Sequence, residues 1–421
     1  MGQEVAGSAA LIEDKGERMK KQSWLCALIV CLALVGFAAN GDAADMAPLS
    51  EPVNIFEGGR LYRSGKIPVL DLHGSWRQMG RQYGGLMAEM LQDLYQRAVV
   101  TYFLQEKKLS LEAMTQTAEG LFQFYPQRFK EIVHGMAETS GLSVDQQIRL
   151  NALELFGTMS GCSGIFAWGD FTGGKPLVAG RNYDWFDSYA DFARNLTVTV
   201  FHPESGFATA IVTFAGVIYV TTAMNERGLF LELNNGLPSG GGLSYNNRVP
   251  AIANLFAFLV DCGTMAHLDA AFQTTRPNFA FIINVADGRA AYAYEWPPFD
   301  LKMRKGASAG LLVATNHFTD PAWGVNLQPH TGFKSVPRRD NLLALGQKFK
   351  GQFDAAVMMK VLDTPMDKGG ATWPLEGGIR TVYQIVAEPE SRALWVNVPG
   401  FQDWTPVDLS ALFLSGKERT K

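Results

Sequence analysis

Cysteine is scarce in this chain, with four among 421 residues, at positions 26, 31, 162 and 262. The first two fall in an apolar stretch near the N-terminus that reads as removable, and the two left argue against a disulfide scaffold. Histidine is scarce as well, at six. No pair of His, Cys or carboxylate positions shows metal-ligand spacing, so neither a metal nor a cofactor is expected. An excess of one charge is also missing: 37 Lys and Arg face 41 Asp and Glu, a net charge of −4. That balance offers nothing to a nucleic-acid backbone or an anionic membrane surface. Asp170, Gly173 and Gly174 read as a hairpin turn, because no Lys-Ser/Thr follows to make a phosphate loop. No internal repeat or low-complexity stretch is present. A small-molecule substrate is the default partner, with a homo-oligomer left open.

Long apolar runs are limited to the N-terminus. Trp24 to Ala39 carries no charge, follows Lys20 and Lys21, and precedes Ala43-Ala44, a small-residue cleavage site before Asp45. This is the pattern of an export signal. The run is too short for a comfortable transmembrane helix, and no stop-transfer pattern follows. Residues 1–18 are polar and precede Met19, which would serve as an alternative start. Residues 1–44 are therefore expected to be an N-terminal extension and signal peptide, and the rest periplasmic or secreted. A retained anchor is the alternative.

Apolar residues make up 47% of the chain, enough for a sizeable core. Residues 45–68 read as irregular, with Pro48, Pro52 and Gly58-Gly59. From Trp76 the pattern turns helical: Met79, Tyr83, Met87, Met90 and Leu94 recur with the period of one helix face. A second helical stretch covers 110–137. A third opens at Ser143 with Gln146 as a capping box, runs through Ile148, Leu150 and Leu155, and ends at Gly157. Beyond residue 162 the chain becomes rich in β-branched and aromatic residues. Val178, Leu196–Phe201, Ala208–Phe214, Val217–Thr221 and Leu229–Leu233 read as strands, with Asn225-Glu226-Arg227-Gly228 among their turns. Two helices broken near Gly263 follow. Strands resume at Phe279–Val285, turn at Asp287-Gly288 and return through Ala290–Trp296. Leu311–Thr315 is a further strand, 339–362 is helical, and Thr381–Ala387 pairs with Ala393–Val398. The alternation suggests two sheets with helices on both outer faces.

Cys162 sits at the boundary between these two characters, directly after Gly161. A cut before it would create a residue that carries both a nucleophile and a base. Its α-amine, with a pKa of ~7.7–8.0, would accept the thiol proton and make a separate histidine unnecessary. Before the cut, the same thiol would attack the unhindered Gly161 carbonyl. The plainer reading of a lone cysteine is a small buried hydrophobe, and Cys262, in an apolar helix, fits that reading. Asn195-Leu196-Thr197 is a glycosylation sequon.

Cys162-Ser163-Gly164, Gly180-Arg181-Asn182-Tyr183-Asp184-Trp185, Leu233-Asn234-Asn235 and Ala314-Thr315-Asn316-His317 occur in that order. Together they resemble the choloylglycine hydrolase and penicillin V acylase group of N-terminal-nucleophile (Ntn) hydrolases. The upstream stretch from Leu72 to Gly84, which contains His73-Gly74-Ser75-Trp76, resembles the C45 branch, which includes the fungal acyl-CoA:6-aminopenicillanic acid acyltransferase. The resemblance spans roughly residues 70–400. It implies an α+β fold, a four-layer αββα sandwich of two mainly antiparallel sheets. Residues 45–161 would be a helical prosegment and 162–421 the catalytic domain, with the prosegment as partner after cleavage.

The resemblance also implies roles. Cys162 is the nucleophile, Asp184 orients the α-amine, and Arg181 favours the thiolate and holds the aspartate. Asn316 is the oxyanion donor, Asn234 a second site asparagine with Asn235 as its rival, and Arg338 a site arginine with Arg339 as its rival. His317 is expected to be structural. The implied reaction is hydrolysis of a linear C–N amide through a thioester on Cys162. Acyl transfer to an amine is the alternative, and a catalytically retired binding protein is the alternative from another class.

Overall fold

The structure is a computed structural model, which describes residues 50–153, 161–240, 242–306, 310–326, 328, 333–375 and 378–419. The signal sequence and the helix end at Leu155 and Gly157 lie outside the described residues.

Ten strands form the larger sheet, numbered along the chain. Their spatial order is β1 (Asn54–Phe56), β2 (Gly59–Ser64), β3 (Ile67–Gly74), β6 (Leu196–Pro203), β7 (Thr209–Phe214), β8 (Thr222–Asn225), β9 (Phe230–Asn235), β10 (Phe281–Ala286), β11 (Ala291–Trp296) and β12 (Lys302–Lys305). The second sheet has six strands in the order β13 (Leu311–Ala314), β4 (Ser163–Ala167), β5 (Val178–Phe186), β14 (Ile379–Glu388), β15 (Ala393–Val398) and β16 (Gln402–Asp408). Neighbouring strands pair antiparallel except β3 and β6, which run parallel from Val69↔Val198 to Gly74↔Pro203. A parallel pair needs a long crossover, and residues 75–195 supply it.

Most strands are buried along their whole length because both faces are covered. Between the sheets, Phe166 meets Phe230 and the Tyr383 hydroxyl lies 3.3 Å from Thr221 and Thr222. Helix α1 (Trp76–Leu94) lies on β2 and β3, and α3 (Gln127–Ser140) packs on α1. Gly80 and Gly135 let those two backbones approach closely, since an added Cβ on either would strike the opposite main chain. Helices α2 (Leu111–Phe122) and α4 (Val144–Leu150) extend this layer, with α5 (Ala251–Asp261) and α6 (Met265–Thr274) beyond. On the other side, α7 (Ser335–Lys348) and α8 (Ala355–Leu362) cover the six-stranded sheet, and α9 (Leu409–Arg419) follows β16. The layers are thus αββα, as expected, and both capping boxes, Ser75–Gln78 and Ser143–Gln146, are formed.

Three readings are corrected. Within the stretch 45–68 read as irregular, residues 54–68 form β1, β2 and the start of β3, so the segment before Cys162 contributes strands as well as helices. Their stability comes from pairing with β6, more than a hundred residues away, which no local pattern reveals. Val217–Thr221 is not a strand. Its backbone bonds elsewhere instead: the Ile218 N–H donates to Asn151 Oδ1 just past α4, the Val220 N–H to the Ile252 carbonyl, and the Thr221 carbonyl accepts from Leu233 and Arg181. The helix expected over 339–362 starts earlier, at Ser335, and is split in two. Cys262 caps α5 as a buried residue, as read. No helix among the described residues is long and apolar enough to cross a membrane.

Candidate active site

Cys162 stands at the start of β4, fully buried, with β5 antiparallel beside it and Gly164 opposite Arg181. Successive residues of β5 alternate faces. Arg181 and Tyr183 therefore look toward the larger sheet, and Asn182 and Asp184 toward α7 and α8, so the aspartate is held by Arg338 and not, as expected, by Arg181. Arg181 Nη2 lies 3.5 Å from Cys162 Sγ and also donates to the Leu233 carbonyl at 3.0 Å, while Nη1 donates to the Thr221 carbonyl. The guanidinium sits 5.3 Å over the Tyr183 ring, which stacks on Tyr383 at 4.5 Å. These contacts fix one cation against the sulfur, which favours a thiolate there.

From the helix side, Arg338 reaches the same cysteine. Its Nη1 donates to the Cys162 carbonyl at 3.0 Å and to Asp184 Oδ2 at 3.1 Å, Nη2 donates to Asn316 Oδ1, and Nε to the Phe333 carbonyl at 2.9 Å. Asp184 accepts a second bond from Thr381 Oγ1 at 2.7 Å, and its carbonyl accepts from the Gly161 N–H at 3.0 Å. A β-bulge in β14 between Thr381 and Tyr383 brings that threonine onto the carboxylate. Burial pushes the Asp184 carboxyl up to about 7, against the opposing pull of Arg338, Thr381 and Arg181. Asn316 is oriented on three sides: its N–H donates to Ser335 Oγ at 2.7 Å, Nδ2 donates to the Asn235 carbonyl at 3.0 Å, and Oδ1 accepts from Arg338.

The two residues of each open pair are placed differently. Asn234 turns to the six-stranded sheet, donating to the Ala314 carbonyl at 3.4 Å, with its Oδ1 buried and lacking a hydrogen-bond partner. Asn235 instead receives the Leu237 N–H in a turn. Arg338 is fully buried in the network, whereas Arg339 pairs with Asp340 at 3.2 Å near the surface. Gly161, Cys162, Arg181, Asp184, Asn316 and Arg338 thus form one connected network, and Asn234 faces the strand that leads into Asn316. His317 Nδ1 contacts Ser335 Oγ at 2.7 Å, and burial, with Arg339, Arg304 and Arg338 adding, pushes its pKa down to about 4.

Sequence reasoning missed three contributors. Thr381 is a partner only through the β5–β14 register. Ser335, three residues before Arg338, had no role assigned. Glu232, two residues before Asn234 and on the same strand face, is fully buried beside Arg181 and accepts from Asn284 Nδ2 at 2.7 Å. Burial pushes its carboxyl up to about 7. Its Oε1 occupies the space a side chain at residue 164 would need, which explains why that position carries glycine. The period-two spacing Glu232-Leu233-Asn234 was the available signal.

Two further readings change. The Asn195 side chain is buried, receiving Arg97 and donating to the Met90 carbonyl, so the folded chain does not present this sequon. The expectation that no residues group as metal ligands is also corrected: Asp71, His73 and His202 converge on β3 and β6, outside the cysteine network. Asp-x-His spacing on a strand was visible in the sequence, whereas His202 arrives only through the parallel pairing.

No family model matches the chain. Among curated proteins it is similar to protein dcd1B of Dictyostelium discoideum, 24% identical over 239 residues, covering 50% of this chain and 46% of that protein. Protein dcd1A of the same organism is 25% identical over 202 residues, covering 40% and 45%. The match therefore spans about half the length of these curated relatives. Among solved structures, the chain is similar to a Caenorhabditis elegans ortholog of N-acylethanolamine-hydrolyzing acid amidase, at 19% identity and TM-score 0.39, covering 54% of this chain and 93% of that one. A mutant of the Clostridium perfringens conjugated bile acid hydrolase gives 15% and 0.42, covering 59% and 92%. Penicillin V acylase from Agrobacterium tumefaciens gives 11% and 0.42, covering 59% and 86%. The architecture described above stands on its own strand order.

Proposed function

We propose that this chain is an exported, autoprocessed cysteine Ntn hydrolase, similar to the C45 branch, that cleaves linear C–N amide bonds through a thioester on Cys162. The observation that carries this reading is the buried convergence of Arg181 on Cys162 Sγ and of Arg338 on the Cys162 carbonyl, Asp184 and Asn316. A lone structural cysteine needs none of these charges around it, and burying two guanidiniums costs several kcal/mol each unless they are paired.

In the uncut chain the cysteine nitrogen is a peptide nitrogen. In processing, Sγ attacks the Gly161 carbonyl carbon and the peptide C–N bond breaks. The cysteine nitrogen keeps the electron pair, and water then hydrolyses the thioester to release the Gly161 carboxylate and a new α-amine at Cys162. That amine would lie near Asp184, whose carboxyl can accept its hydrogen bonds. In turnover the amine takes the thiol proton, Sγ attacks the substrate carbonyl, and the side chains of Asn316 and Asn234 stabilise the developing oxyanion. The leaving amine receives the proton, and water activated by the α-amine resolves the thioester.

Mass spectrometry of purified protein tests this directly. A fragment beginning at Cys162, absent from Cys162→Ala, is expected, together with amide hydrolysis blocked by thiol-directed reagents. An intact chain that also ignores those reagents would overturn the reading. A panel of acyl amides, with and without an acceptor amine, ranks acyl length and separates hydrolysis from transfer.

A further inference from the structure

We propose that Asp71, His73 and His202 form a binding site for one divalent transition cation of the zinc type, joining strand β3 to strand β6. Asp71 and His73 are two residues apart on β3 and so share a face. His202 is the register partner of His73 on β6. The two imidazoles stack at 4.3 Å with an interplanar angle of 9°, and their Nε2 atoms lie 2.9 and 2.8 Å from one oxygen, Asp71 Oδ1. Both of those ring nitrogens are buried. Three ligand-type atoms thus crowd toward a common point.

In a tetrahedral zinc site, bonds of about 2.0–2.2 Å set neighbouring ligand atoms about 3.3 Å apart. The three atoms here all lie within 4.8 Å of one another, and turning the stacked rings so that both Nε2 lone pairs meet one point, with the carboxylate drawn back, would admit the ion. Two imidazoles and one carboxylate favour Zn²⁺, Co²⁺ or Ni²⁺ over Ca²⁺ and Mg²⁺, which prefer all-oxygen shells. Asp71 is fully buried, while the His73 side chain retains 16% exposure, leaving a wet side for a water as fourth ligand. The support behind the ligands is built: Gln82 from α1 accepts the His73 N–H at 2.9 Å and donates to the His73 carbonyl at 3.0 Å, clamping that backbone.

The placement has a consequence that rests on the proposed cut before Cys162. β3 lies upstream of the cut and β6 downstream, so the cation would cross-link the two pieces. The alternative is that the two imidazoles donate to Asp71 Oδ1 themselves, and in that case no cation is taken up.

The full chain carrying Cys162→Ala, treated with chelator and then titrated with ZnCl₂ or CoCl₂, tests the site independently of processing. One Zn²⁺ per chain retained through gel filtration, a raised Tm and the visible absorption of tetrahedral Co²⁺ are expected. His73→Ala, at the most exposed ligand, and Asp71→Asn should each abolish all three while keeping the folded circular dichroism signal. Absence of stoichiometric metal in the parent, or equal retention in His73→Ala, overturns the site. In wild-type protein, chelation should let the two fragments separate at lower denaturant. If no cut occurs, that consequence fails with the proposed function, while the metal titration still decides the site.

Discussion

Arg338 is the residue on which the cysteine network hangs, because its five donors serve Asp184, Asn316 and the Cys162 and Phe333 carbonyls at once. Arg338→Met in the Cys162→Ala background should cost about 3–5 kcal/mol, since it strands the buried Asp184 carboxylate. Adding Asp184→Asn should recover part of that loss in denaturant unfolding. Glu232 offers a second test. Its carboxyl titrates near 4.5 when unfolded and is pushed up to about 7 by burial in the folded chain. The folded state therefore holds a proton that the unfolded state has released. This contribution is fully present below pH 4.5 and fades as pH rises through about 7, amounting to at most about 3 kcal/mol. Asp184, raised in the same direction, adds to the same decline. Glu232→Gln should flatten the fall of Tm between pH 4.5 and 7, and a Tm-against-pH series on both proteins measures it. Of these residues, Cys162, Arg181, Asp184 and Asn316 were legible because they stand in short motifs. Thr381 and Glu232 were not, since their roles depend on strand register and sheet stacking.

At the scale of elements, β4 and β9 face each other so closely that Gly164 and Glu232 compete for one volume. Gly164→Ala should destabilise by about 1–3 kcal/mol through overpacking. Because Glu232 is the obstacle, a double-mutant cycle with Glu232→Ala should show a favourable coupling of the two changes, measured by chemical denaturation. Helix limits marked by capping chemistry, as at Ser75 and Ser143, were readable from neighbouring residues alone. The strands of residues 54–74 were not, because β1 and β2 are short and the strand that β3 pairs with, β6, is distant in sequence. Val217–Thr221 erred in the opposite direction: it has strand composition, yet its N–H groups go to Asn151 Oδ1 and the Ile252 carbonyl instead of a neighbouring strand.

For the molecule as a whole, β1–β3 continue the sheet that β6–β12 complete, and Ser64 bonds to the Pro406 carbonyl of β16 at 2.6 Å. Under the proposed cut, the two pieces should co-elute on gel filtration at neutral pH and separate only in denaturant. Elution of a lone catalytic fragment would contradict this, since separation would expose the paired edge of β6.

The sequence by itself determined the order of helices and strands, the αββα expectation and most of the residues around Cys162. Such features follow from periodicity, capping and short motifs, all of which act over a few residues. Tertiary structure alone turned Asn234 toward the six-stranded sheet and Asn235 into a turn, put Arg338 in the buried network and Arg339 near the surface, buried Asn195, and gathered Asp71, His73 and His202. The physical reason is common to these cases. Each depends on which face of an element meets a partner far along the chain, and that is fixed by packing and register, to which no local pattern is sensitive.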